Sequence, residues 1–111
     1  MNEPKILVGI VCSDYHEYCL NEFLEGVKNL TYNNKDILFV DNSKTNDFAN
    51  KLKNKGYNVI KIDFSKGTLN RIVKCRNILR EYTLKNNYDY FFSLEQDVIP
   101  PQNVIERLIN Y

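Results

Sequence analysis

The sequence contains no tryptophan and only one histidine, three cysteines, three prolines and four glycines among its 111 residues. Cys12, Cys19 and Cys75 are odd in number and form no C-x-x-C pair, with His16 the single imidazole. That argues against a disulfide framework and against a structural zinc site. Sparse glycine and proline exclude collagen-like and low-complexity chains. Neither sign of charge is in excess, since 15 Lys and Arg against 14 Asp and Glu leave a net +1. No global field therefore steers the chain to nucleic acid or to an anionic membrane. Long apolar runs are also missing: Ile6 to Cys12 is the longest, interrupted by Gly9, and a bilayer span needs about 20 residues. Met-Asn-Glu-Pro-Lys at the N-terminus offers no basic region ahead of that run and no small-residue cleavage site follows it, so a cytoplasmic chain is expected.

What is present is a 43% hydrophobic, 26% charged composition, which suits one globular domain with a single core. Ile6-Leu-Val-Gly-Ile-Val-Cys12 is β-branched and does not alternate, the signature of a strand buried on both faces of a parallel sheet. From His16 to Leu30, apolar residues recur at three- and four-residue steps and predict one helix. Ile37 to Val40 predicts a second strand, stopping at Asp41-Asn42-Ser43. Asp47 to Lys55 predicts a short helix closed by Gly56 in the left-handed region, and Tyr57 to Phe64 a third strand. A long helix capped by Ser65 or Thr68 is expected to reach about Lys85. Tyr88 to Leu94 predicts a fourth strand whose aromatics pack in the core rather than stack on bases, and Pro100-Pro101 a last helix. Strands alternating with helices give the fold class α/β: a mostly parallel sheet of about four strands with helices on both faces.

Open sheets of this class bind ligands beyond the carboxyl ends of their strands. Those ends are polar here: Ser13-Asp14-Tyr15, Asp41-Asn42-Ser43, Ser65-Lys66-Gly67 and Glu95-Gln96-Asp97. Glu95 and Asp97 are one residue apart, which in extended backbone turns both carboxylates to one side and Gln96 away. Either they share a hard divalent cation, Mg²⁺ or Mn²⁺, with phosphate oxygens filling the remaining positions, or Glu95 is solvated and Asp97 opens the turn before Pro100. Asp41 reads as a turn residue or as a lone carboxylate able to accept a base N–H. Asp14 reads as a loop cap or as a site residue. Arg76, beside the stripe of the long helix, either snorkels outward or reaches an anion. His16 and Cys12 lack the spacing of a hydrolase triad.

Taken together these residues resemble the N-terminal half of a GT-A glycosyltransferase, closest to the family two type that uses nucleotide-diphospho-sugars. Ile6 to Tyr15 is similar to that family's opening strand and turn, Ile37-Leu-Phe-Val-Asp-Asn-Ser43 to its strand ending in Asp-Asn-Ser, Cys75-Arg-Asn77 to its Ala-Arg-Asn helix signature, and Phe91 to Asp97 to its strand ending in Asp-x-Asp, with Glu95 for the first Asp. The resemblance implies a Rossmann-like nucleotide-binding fold and a UDP- or GDP-sugar ligand. It places Ser13, Asp14, Asp41, Asn42 and Arg76 around the nucleotide, Asp41 reading the base, and Asp97 with Glu95 on the metal. Two departures stand out. Gly67 lies farther from Arg76 than the family's Gly does from its Arg, and Ile78 replaces a small residue. The acceptor half and its catalytic base are not among these motifs, so no catalytic residue is named. A partner chain or a second copy supplying that half is one expectation.

Two other classes compete. A receiver-like signalling module needs an Asp after its third strand and a Lys after a fifth, whereas Asp63 is expected inside strand three, with no fifth strand. A non-catalytic binding or assembly domain would keep the sheet without the metal, and its exposed edge would favour self-association.

Overall fold

The computed structural model describes residues 3–63 and 68–110, apart from the side chains of His16, Thr68 and Leu69. Four strands form one parallel sheet in the order β3-β2-β1-β4: β1 Ile6–Cys12, β2 Lys35–Asp41, β3 Asn58–Lys61 and β4 Tyr90–Glu95. β1 lies at the centre, paired with β2 from Ile6 opposite Lys35 to Cys12 opposite Asp41, and with β4 from Ile6 opposite Tyr90 to Val11 opposite Glu95. Having a neighbour on each edge and a packed layer on each face is what its unbroken apolar run requires. The chain is α/β with helices on both faces, as the alternating pattern implies.

Successive residues of β1 serve the two layers. Ile6, Val8, Ile10 and Cys12 join Phe23, Val27, Phe39, Phe48, Leu52 and Ile105 in one core. Helices α1 (Leu20–Lys28), α2 (Asp47–Asn54) and α4 (Val104–Ile109) cover that side. Leu7, with Leu38 and Val40 of β2, packs under Cys75 and Leu79 of α3 (Thr68–Lys85), which among the described residues is the one helix on the opposite face. Gly9 belongs to this second layer. A Cβ built there would lie 2.3 Å from Phe91 Cε1 and 3.0 Å from Leu79 Cδ2, so glycine is what lets α3 and β4 close over β1.

Several boundaries differ from expectation, each for a local reason. The helix expected over His16 to Leu30 is split: a 3-10 helix spans Asp14–Cys19, Cys19 leaves helical geometry at φ −110° and ψ 13°, and α1 then begins. Leu30 lies beyond its end. β2 starts two residues before Ile37 because Lys35 and Asp36 already pair with β1. β3 ends at Lys61, so Asp63 follows the strand instead of lying within it; Ser65, Lys66, Gly67 and Phe64 lie outside the described residues. Tyr88 precedes β4, stacking on Tyr82 and donating its hydroxyl to Asp36 at 2.6 Å. The two prolines do not open α4, which starts three residues after Pro101 behind Asn103; Pro100 instead packs near Gly26 of α1.

Helix ends were better marked. Gly56 has φ +95°, its N–H meets Lys53 O at 2.9 Å, and the Tyr57 N–H meets Leu52 O at 3.2 Å, the paired bonds of a Schellman closure. Asn87, at φ 59°, ends α3 in the same way, with the Tyr88 N–H bonded to Thr83 O at 3.2 Å.

The order β3-β2-β1-β4 matches the first four positions of the doubly wound order 3-2-1-4-5-6. In the flavodoxin-like order shared by receiver modules, β1 lies between β2 and β3. Here β3 is an edge paired to β2 alone, so the receiver topology is excluded even though Asp63 sits after its strand. Among the described residues no helix is long and apolar enough to cross a membrane. Replacing Gly9 by alanine is expected to cost about 1–3 kcal/mol, the usual penalty of overpacking. Urea unfolding measures it, and a variant as stable as the wild type would show that Phe91 swings aside freely.

Candidate functional site

The direction in which strands are added reverses at β1, while all strands stay parallel. The connections through α1 and α2 build the sheet outward to β3, and the one through α3 returns to lay β4 on the other side of β1. The crevice between the carboxyl ends of β1 and β4 is therefore the switch point at which open α/β sheets take their ligands. A pocket of about 550 Å³ occupies it, walled by the ends of β1 and β4, the residues that follow them, Asn42, and Arg71, Ile72 and Arg76 of α3. α3 runs antiparallel to the strands, which brings its early turns beside their carboxyl ends. No acidic residue occupies its first turn, and a helix N-terminus favours anions.

Five of the expected residues meet in this one pocket: Ser13, Asn42, Arg76, Glu95 and Asp97. Glu95 closes β4, and Gln96 and Asp97 form the turn after it, held by the Val98 N–H on Glu95 O at 3.2 Å. Extended backbone thus stops at the first acid, yet burial still alternates, with Glu95 and Asp97 exposed and Gln96 buried. Glu95 pairs with Val11 and Ser93 with Gly9, residues of the face that α3 covers. Glu95 accordingly lies on the α3 side of the sheet, and it lines the same pocket as Arg71 and Arg76. Among the described residues no third acid, histidine or cysteine joins the two acids to complete a closed metal cage. Two carboxylates on an open pocket are still a sufficient protein share for Mg²⁺ or Mn²⁺, which retains water or phosphate oxygens in its other positions.

Asp14 and Asp41 are not part of the wall. Asp14 is exposed, and its backbone N–H donates to Ser43 Oγ at 2.8 Å. Asp41, expected at the mouth of the sheet, has no exposed surface. Its Oδ1 accepts the Ser43 N–H at 3.1 Å and the Ser43 hydroxyl at 2.7 Å, while Oδ2 is buried without a partner. The Lys61 ammonium donates to Ser43 O at 2.6 Å. Asp41 is thus the anchor of a turn that links β1, β2 and β3 behind the pocket, and its neighbour Asn42 forms the wall. The Asn42 N–H donates to Cys12 O at 3.0 Å, and its side-chain amide donates to Cys75 Sγ at 3.6 Å, which fixes it between β1 and α3.

Arg71, Tyr15 and Ser93 also line the wall without having been singled out, as does Gln96, which was expected to turn away. Arg71 lies one residue before Ile72, which is one turn before Arg76, and only the placement of α3 shows that this end overhangs the crevice. Tyr15 and Tyr18 are three residues apart in the 3-10 helix, where such residues eclipse; both are about four-fifths exposed, at 80% and 79%. Cys12 also lines the pocket, but its thiol donates to Val40 O at 3.6 Å, and burial, then the Asp41 charge, push it well above its ordinary range. It stays protonated and is a poor nucleophile.

No family model matches the sequence, and no curated protein shows significant similarity to it. Burial also raises the Asp41 carboxyl above its ordinary 3.8, against the opposing bonds from Ser43 and the Lys61 charge. The folded chain then holds this proton more tightly than the unfolded one. Its contribution to stability is full below about pH 4 and is lost as pH rises through the raised folded value. Asp41→Asn, whose amide oxygen can still accept from Ser43, should flatten that slope. Melting temperatures of both proteins across acid to neutral pH test this, and parallel curves would refute it.

Proposed function

We propose that the switch-point pocket binds a nucleotide-diphospho-sugar, such as a UDP- or GDP-sugar, with Mg²⁺ or Mn²⁺ held by Asp97 and Glu95. The chain would then be the donor-binding part of a sugar-transferring enzyme, or derived from one, in keeping with its likeness to GT-A glycosyltransferases. The observation that carries this reading is the division of one pocket into a cationic wall, Arg71 and Arg76, and an acidic one, Glu95 and Asp97. A bare anion is repelled by the acids and a bare cation by the arginines. A diphosphate with a divalent cation satisfies both walls at once.

In this reading the arginines bind phosphate oxygens, and Ser13 and Asn42 offer neutral hydrogen-bonding groups to the nucleoside. Asp14 and Asp41 act from behind the wall, holding the turn that presents Asn42. The cation, when bound, neutralises charge developing on the departing diphosphate. The three cysteines form no disulfide, and Cys12 and Cys75 are buried, which suits the reducing cytoplasm.

A second reading, an assembly domain, is favoured by the open edge of β4. That edge strand carries three consecutive aromatics and no lysine or proline, with Tyr90 57% exposed, so little blunts it against pairing. A second copy or a partner chain carrying an acceptor site can add there. Metal-dependent nucleotide binding separates the two readings. Calorimetry with UDP and with GDP should detect binding only when Mn²⁺ is present. Asp97→Ala should abolish it, and Arg76→Ala should weaken it about tenfold, the loss of one charge-assisted hydrogen bond. No binding of either nucleotide with or without Mn²⁺ rejects the transferase reading and leaves the assembly domain.

A further inference from the structure

The charge of the chain is balanced overall but not in space. Helix α3 carries Arg71, Lys74, Arg76, Arg80 and Lys85 against the single acid Glu81. That is a net +4 on a chain of net +1, so all other segments together carry −3. Cys75, Leu79 and Thr83 are buried on the inner side of the helix. Its outer side is not uniformly polar, as the free face of a surface helix ordinarily is. Val73 is 47% and Leu84 69% exposed. Their spacing is three helical turns, which puts them on one line about 16 Å long. Lys74 and Lys85 run parallel to that line on one side, and Arg76 and Arg80 flank it on the other; all four are exposed. No ion pair among the described residues holds any of the four. Aliphatic residues exposed singly need no explanation. Two of them aligned between rows of cations form the pattern of a helix that lies in a membrane interface.

We propose that the outer face of α3 docks on an anionic lipid bilayer. The cationic heads reach headgroup oxygens, while their stems and the Val73 and Leu84 side chains enter the acyl boundary. The uneven charge orients the approach, since the same surface repels the −3 carried by the rest of the chain. Two other occupants fit this face less well. A second copy would set +4 against +4. Nucleic acid would take the cations but leave the apolar line against phosphates. Arg76 belongs both to the flank of the line and to the pocket wall, so docking sets the mouth of the pocket beside the lipid surface. The inference goes beyond the nucleotide reading and does not require it.

Vesicle sedimentation with the intact chain tests it, using phosphatidylcholine alone and equal parts of phosphatidylcholine and phosphatidylserine. Binding is expected to the second composition only, and it should weaken as salt is added. Lys74→Glu with Arg80→Glu should reduce it by about twentyfold or more, since each cation near an anionic surface contributes about fivefold. Lys28→Glu with Lys53→Glu makes the same change in net charge on α1 and α2, and should retain most of the binding. Leu84→Ser, at an exposed position, should weaken it several-fold by removing apolar surface from the boundary. Circular dichroism checks that each variant is folded. No sedimentation of the wild type with the mixed vesicles, or equal losses in the two double variants, overturns the proposal. Full binding by Leu84→Ser overturns the apolar insertion. Binding to polyuridylate but not to vesicles assigns the face to nucleic acid and overturns the bilayer as its occupant. Nucleotide and metal are absent from every arm, so failure of the nucleotide reading leaves this result standing.

Discussion

Burial of β1 on both faces and both edges is the constraint on which the rest of the structure depends. A parallel strand cannot turn back on its neighbour by a hairpin, so each pairing of β1 requires a crossover through a helix. Right-handed crossovers then decide the layers: α1 and α2 go to one face as the sheet grows toward β3, and α3 goes to the other as the chain returns to place β4. With α3 pressed over Gly9, that face has no room for a β-carbon on the central strand. The same reversal that covers both faces opens a crevice at the carboxyl ends of β1 and β4.

Polar residues collect at that end because the ladders stop there. Each strand leaves carbonyl and amide groups that the sheet no longer satisfies, and the turns answer them with side chains. Asp41, Ser43, Lys61 and the Asp14 backbone make one connected set behind the pocket. Gln96 makes another beneath the acids. These networks hold the wall residues from behind, so that Asn42, Arg76, Glu95 and Asp97 can face the crevice. A carboxylate used as an anchor is desolvated, and its proton is held accordingly. The acids left at the rim stay solvated and can serve a ligand. Asp41 and Asp97 thus differ in burial: Asp41 closes β2 and is fully buried, whereas Asp97 is exposed in the turn after β4.

Much of this was legible in the chain itself. The unbroken run from Ile6 to Cys12 has no stable place except the middle of a parallel sheet, and Gly56 has its expected left-handed role because the closure of α2 requires a positive φ. Helix α3 reaches Lys85 as expected, although Thr68, one of the two expected caps, is its first described residue and lies within it. The clustering of Ser13, Asn42, Arg76, Glu95 and Asp97 follows from one general property, that strand ends converge. Other features depended on distant partners. The continuous helix expected from His16 to Leu30 broke at Cys19, where the thiol and the carbonyl of Gln96 meet across 77 residues of chain. Tyr88 was expected in β4, but its hydroxyl is held by Asp36 of β2, outside the strand.

The sequence by itself determined the alternation of strands and helices, the centrality of β1 and the polar character of the strand ends, because periodicity and β-branched runs act within a few residues of one another. The tertiary structure decided which acid is buried and which is exposed, that Arg71 joins Arg76 at the crevice, and that Gln96 turns inward to Ser13. Those outcomes depend on strand order and on where α3 crosses the sheet, and both are set by packing between segments that are far apart in the chain.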